Sequence, residues 1–115
     1  MSRQLRLYLS DILTSIAKIQ NSIKGHNQDY FLENEIIFDG IILNLQIIGE
    51  SAKNIPQSIR EKYPQIDWKS IIGLRNIIAH TYFTIDPDII WDIAKTELEP
   101  LKNCIELIQK NENLE

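Results

Sequence analysis

Residues 75–83 read RNIIAHTYF, and three of these side chains can work on a phosphate: Arg75, His80 and Tyr82. Arginine presents a planar fork of donors that stays charged at every relevant pH and matches phosphate oxygens. Histidine is the side chain best suited to giving and taking a proton near neutrality. Tyrosine adds a hydroxyl donor and a flat face on which a base can stack. In a regular helix Arg75 and His80 lie about 140° apart around the axis and about 7.5 Å along it, which sets their Cα atoms roughly 9 Å apart. Both side chains are long enough to meet at one phosphate, most easily if His80 stands where the helix ends. Each residue alone has a structural alternative: Arg75 solvating a helix face, His80 capping the last carbonyls, Tyr82 packing. The triple at fixed spacing is rarer than any of its members.

The elements that must position this cluster all read as helices. Leu5, Leu9, Ile12, Leu13, Ile16, Ile19 and Ile23 recur at three- and four-residue steps, and Lys24-Gly25 supplies a last-turn cation and a stop. That predicts a first helix from about residue 3 to 24. A second is predicted over roughly 28–53, capped by Asn27 or Asp29. Placed at 100° steps, Ile36, Ile37, Phe38, Ile41, Ile42, Leu43, Leu45, Ile47 and Ile48 cover most of its circumference. A stripe of about 60° holding Glu35, Asp39, Gln46 and Glu50 is the main exception. A helix apolar on so many sides needs cover from more than its own chain, so a second subunit is expected. Gly40, Asn44 and Ser51 form a small-residue strip suited to close helix approach.

Pro56 opens a short helix that stops before Pro64. Ile66-Asp67-Trp68 followed by Ile71 gives an aspartate cap with a hydrophobic staple, opening a helix predicted to reach Ile78 or His80. Ile85, Asp86, Pro87 and Ile90 repeat the device for the last helix, which Pro100 must kink or divide. The expected architecture is all-α: an antiparallel bundle of four main helices plus one short helix, with a kinked last helix. Residues 1–115 are expected to form a single domain.

Composition narrows the partners. The chain has 115 residues with 43% hydrophobic and 24% charged, the balance of an ordinary soluble globular protein. No apolar run approaches the ~18 residues of a membrane span, and MSRQLRLYLS has no signal-peptide pattern, so a cytoplasmic protein is expected. The single Cys104 has no partner for a disulfide or a zinc pattern. The final Leu114 and Glu115 look like the remnant of an expression tag and receive no structural weight. Net charge is −4, but residues 1–80 carry nine Lys or Arg against eight Asp or Glu, while residues 81–115 carry three against eight. The acidity lies in the C-terminal third, leaving room for a local basic site at Arg75. This excludes a strongly basic binder whose phosphate contacts dominate affinity; an enzyme that holds RNA briefly is compatible.

The order Ile48-Gly49-Glu50-Ser51-Ala52, then Ile66-Asp67-Trp68, then Arg75-NIIA-His80-Thr81-Tyr82 and an Ile-Asp-Pro helix start resembles the HEPN-domain toxins of the HepT type. These are small all-helical ribonucleases of prokaryotic toxin–antitoxin pairs, and the resemblance covers nearly the whole chain. It implies that Arg75 and His80 are the catalytic pair and that Tyr82 is the residue a partner nucleotidyltransferase antitoxin of the MNT type modifies with AMP. It also implies a metal-independent enzyme without cofactor, a homodimer whose two motifs face each other across a cleft, and an RNA substrate, messenger or transfer. His80 would remove the 2′-hydroxyl proton or protonate the leaving 5′-oxygen, and Arg75 would neutralise the phosphorane, leaving a 2′,3′-cyclic phosphate. Asn76 shares a helix face with His80 and could orient it or bind phosphate. Glu50 is expected to form a structural ion pair, with orientation of Arg75 or His80 as the alternative; Asp39 is a more distant candidate on the same stripe. His26, in a turn, is expected to be solvated. Two other classes remain: a non-catalytic helical module partnering a nucleotidyltransferase, and a scaffolding or antitoxin-like bundle in which the cluster is structural.

Overall fold

The computed structural model describes residues 2–76 and 85–114. Every regular element among them is helical, giving the all-α, HEPN-like domain expected. Helix α1, Ser2–Ile23, follows from its spacing: Leu5, Leu9, Ile12, Ile16, Ile19 and Ile23 make one stripe, and all are buried. Each such side chain contributes about 1.5–3 kcal/mol relative to exposure. The turn that follows depends on Gly25, at φ +77, a left-handed conformation that suits glycine.

The long second helix predicted over 28–53 is two helices, α2 (Gln28–Glu33) and α3 (Glu35–Lys53). Asn27, rather than Asp29, caps α2, its side-chain oxygen accepting from the Tyr30 N–H at 3.1 Å. The break falls at Asn34, whose side-chain amide donates to the Tyr30 carbonyl at 2.7 Å. That carbonyl is the one its own backbone N–H would reach in a continuous helix, and the N–H turns instead to Phe31 O at 3.4 Å. A short polar side chain has displaced the backbone bond. From Asn34 the chain restarts, its carbonyl accepting from Phe38 N–H at 2.9 Å.

Helix α3 packs against α1 on its Ile41, Ile42, Leu45 and Ile48 side and also receives α5 and the turn after it. The short helix α4, Gln57–Arg60, follows Pro56, and Arg60 Nε donates to Ile55 O at 3.0 Å. Trp68 Nε1 donates to the Tyr63 carbonyl at 2.9 Å, tying this connection to the core. Helix α5, Trp68–Gly73, is capped by Asp67, as expected. Asp67 accepts from both the N–H and the hydroxyl of Ser70, which holds its carboxyl below the usual aspartate range.

Two irregularities depart from the expectation. The α5 helix ends at Gly73 and tightens into a 3₁₀ turn at Leu74–Asn76 instead of running on as a regular helix; residues 77–80 of that expectation lie outside the described residues. The last helix opens on Asp86, whose side chain accepts from Asp88 N–H at 2.9 Å, with Pro87 in its first turn. It runs Pro87–Asp92, widens to a π turn at Ile93–Glu97 and continues as Leu98–Asn111. Pro100 therefore sits inside regular helix, and the irregularity lies just ahead of it. Proline lacks an N–H and crowds the carbonyl four residues back. Here that carbonyl belongs to Thr96, within the π turn, where the wider coil accommodates the ring. Leu114 is buried and its N–H donates to Gln109 O at 2.7 Å, so it belongs to the packing, contrary to the weight given it from sequence. No helix among the described residues is long and apolar enough to cross a membrane.

Candidate functional site

Arg75 stands in the 3₁₀ turn that closes α5, where three residues per turn replace 3.6. The regular-helix geometry therefore does not hold over Leu74–Asn76, and His80, the other end of the expected separation, lies outside the described residues. Leu74 is buried and anchors the turn, while Arg75 is half-buried and Asn76 exposed. Arg75 Nη1 lies 3.5 Å from Glu50 Oε2 on α3, so the ion pair of Glu50 is made with the arginine that the alternative reading of Glu50 had named. The side chains of Arg75 and Glu50 are 32% and 57% exposed. A pair so open to water adds about 0–1 kcal/mol to stability, and its consequence is orientation: one edge of the guanidinium is held by Glu50.

Asp39 lies on α3 eleven residues before Glu50, roughly 16 Å up the axis. Within one chain it is remote from Arg75. His80 and Tyr82 lie outside the described residues, so the structure places the arginine and its carboxylate but not the histidine or the tyrosine. His26 is exposed, as a turn position suggests, with its ring 3.6 Å from that of Tyr30 between centroids.

The face of α3 beside this site is apolar and exposed. Ile36 is 86%, Leu43 52% and Ile47 37% exposed. With Gly40 these positions fall within about 60° of the helix circumference, and Glu50 follows one turn past Ile47 at the edge of the stripe. The second-subunit expectation rested on apolar girth, and the structure shows which part of that girth this chain leaves uncovered.

A cavity of about 390 Å³ lies behind the turn, lined by Ile66, Ile71, Leu74, Ile93 and Leu101 together with Asp67 and Glu97. Among the described residues its lining includes no basic side chain, and Arg75 is the phosphate candidate. Among the described residues no group of three or more His, Cys, Asp or Glu is close enough to hold a metal ion, a search that His80 lies outside. Cys104 is buried, and burial pushes its thiol up, which disfavours the reactive thiolate.

Sequence reasoning passed over Gly49, quoted as part of a motif but given no task. The available signal was a glycine inside an otherwise strongly apolar helix.

The family model described as ribonuclease HepT-like matches residues 12–108. A candidate RNase of Methanocaldococcus jannaschii is 38% identical over 95% of this chain and 94% of its own length. A second protein of that organism, named for gamma-glutamylcyclotransferase and candidate RNase functions, is 35% identical over 98% of this chain; the chain spans about half of it, 53%. The mRNA nuclease HepT of Shewanella oneidensis is 28% identical over 85% of this chain and 96% of its own length. No solved structure matches significantly.

Proposed function

The chain belongs to the HepT-like ribonuclease family, and we propose that it is the toxin of a prokaryotic toxin–antitoxin pair, a metal-independent endoribonuclease acting in the cytoplasm. In this reading residues 1–115 make one HEPN domain that works as a symmetric homodimer, with Arg75 and His80 of each copy facing one cleft. The observation that carries it is the half-buried Arg75, held by Glu50 at the end of the apolar stripe on α3. Covering that stripe with a second copy would bring two Glu50–Arg75 pairs to one interface and close a cleft around the phosphate they bind.

The chemistry needs only the chain's own groups. His80 takes the proton from a ribose 2′-hydroxyl, whose oxygen attacks the adjacent phosphorus. The P–O5′ bond breaks as the 5′-oxygen is protonated, a step open to the twofold mate of His80. Arg75 stabilises the charge that builds on the non-bridging oxygens. The products are a 2′,3′-cyclic phosphate and a 5′-hydroxyl end. Asn76 is a further phosphate or histidine contact beside Arg75. Asp39, on the same helix as Glu50 but roughly 16 Å further up its axis, is a more distant supporting candidate. A messenger RNA substrate is supported by the name of the Shewanella relative, with transfer RNA the other class to test.

Tyr82 is the off switch in this reading. An MNT-type nucleotidyltransferase antitoxin, using ATP and magnesium, joins the tyrosine oxygen to the α-phosphorus of ATP. Pyrophosphate leaves, and the phenol proton passes to solvent. The attached phosphodiester pairs with Arg75 where the RNA phosphate would sit, and the adenine covers the base-binding surface. The modified toxin is blocked by a tethered mimic of its substrate.

Expression in bacteria tests the catalytic reading. The chain alone should arrest growth, and His80→Ala should not. A harmless parent chain, or unchanged arrest by His80→Ala, contradicts it and favours a binding module. Tyr82→Phe should stay active when the partner and ATP are present. Silencing of that variant with no mass added to the parent chain would show a steric switch instead.

A further inference from the structure

We infer that Gly49 and Glu50 form a seat on α3 that aims Arg75, the glycine by letting backbone touch backbone and the carboxylate by holding the guanidinium. The inference rests on the ribonuclease reading of Arg75 and adds the residue that positions it. A Cβ placed on Gly49 would lie 2.5 Å from the backbone nitrogen of Arg75, 2.9 Å from Ile71 O and 3.1 Å from Ile72 O. All three atoms are backbone, so no side-chain rotation could relieve the overlap. At the other two helical glycines, Gly40 and Gly73, a Cβ would meet none of the described residues within 4 Å.

The nearest of those contacts is to the main chain of the proposed catalytic arginine, and the next residue of α3 grips its tip at 3.5 Å. Arg75 is thus located twice, at its backbone by Gly49 and at its guanidinium by Glu50. Real Cβ atoms essentially never come within 3.0 Å of such a neighbour. An alanine at position 49 therefore forces α3 and the 3₁₀ turn apart by at least about 0.5 Å, because close-packed interiors transmit such strain instead of absorbing it. Displacement of a catalytic group by about 1 Å can cost 10²-fold in rate.

The test uses the purified full chain and a synthetic RNA oligonucleotide. Gly49→Ala should fold and keep its dimer mass yet lose about 10²-fold in kcat with KM changed less than threefold. Gly73→Ala, in the same segment but with none of the described residues within 4 Å of its methyl, should match the parent. In an Arg75→Lys background Gly49→Ala should cost less than threefold more, since its effect passes through the arginine. Glu50→Gln should lower kcat several-fold in the parent and little in that background. A folded Gly49→Ala with kcat within twofold of the parent overturns the seat, as does an equal loss in both backgrounds. If Gly49→Ala does not fold, Glu50→Gln decides: a parental or raised kcat overturns the seat, and a loss confined to the Arg75 background supports it. Parental cleavage by Arg75→Lys would instead overturn the role of Arg75 itself, and with it the purpose of the seat.

Discussion

Helices α1 and α3 are both long and rich in isoleucine and leucine, yet they differ in what they leave uncovered. In α1 the apolar stripe from Leu5 to Ile23 is buried from end to end, and Leu7 is an isolated exposed leucine of a kind most surfaces carry. In α3 the core face is filled by Ile41, Ile42, Leu45 and Ile48, while Ile36, Leu43 and Ile47 form a second apolar line facing outward. Helix α1 is completed within its own chain. Helix α3 carries one apolar face more than the chain can cover, and that face ends beside Glu50 and Arg75. Fold and site meet on α3, and the surplus face is the one that the proposed dimer would cover.

The sharpest way to break this contrast is to place a charge on each helix's outward side. Leu43→Glu should leave the helical circular dichroism intact but dissociate the proposed dimer. An unpaired charge buried at the interface costs about 3–5 kcal/mol, or at least 10²-fold in dimer affinity, read by sedimentation at micromolar concentration. Leu7→Glu on α1 should leave the mass unchanged. The converse test removes packing from the filled stripe. Ile16→Ala should cost about 2–5 kcal/mol of unfolding free energy through the cavity it leaves, measured by denaturant titration.

The middle range separates site from scaffold. Arg75→Lys should change folding stability by less than about 1 kcal/mol, since its ion pair is open to water. It should nevertheless impair cleavage strongly, because a point charge does not reproduce the fork. A parental cleavage rate, or a large loss of thermal stability, would move Arg75 from the site to the scaffold.

The smallest effect concerns the cap that starts the Arg75 segment. The carboxyl of Asp67 titrates below its ordinary value of 3.8 because Ser70 donates to its ionised form. A depressed folded value means that this stabilisation is fully present above about pH 4 and fades as pH falls below 3.8. Asp67→Asn should therefore lower the thermal midpoint slightly at neutral pH and cancel part of the acid sensitivity below pH 4. An unchanged acid limb would show that the cap contributes nothing measurable.

The same contrast explains what could be read without coordinates. The first helix was legible almost to the residue, because a clean three- and four-residue rhythm ends at Lys24-Gly25. The aspartate caps at Asp67 and Asp86 were legible from local chemistry. The break at Asn34 was not, since a hydrogen bond from its side chain to Tyr30 O leaves no trace in the apolar period. The 3₁₀ turn at Leu74 and the π turn at Ile93–Glu97 also escaped, because both keep the apolar residues inward while changing the coil. The Glu50–Arg75 pair was legible in part: an ion pair was expected of Glu50, but Arg75 was named only in the alternative, that Glu50 orients Arg75 or His80. The role of Gly49 was not, for it exists only where a second backbone passes, and sequence gives the glycine without its neighbour. The expected partners of Arg75, His80 and Tyr82, fall outside the described residues, so the site rests on its arginine half and on the family match.

The most direct measurement is the solution mass of the active protein, taken under the conditions in which it cleaves a ribose-containing oligonucleotide in excess EDTA. The expected result is a particle of twice the 13.4 kDa chain mass, active on RNA, inactive on the same oligonucleotide with 2′-deoxyribose at the cut, and losing activity as dilution dissociates it. Monomeric particles that cleave equally well would contradict the shared cleft on α3.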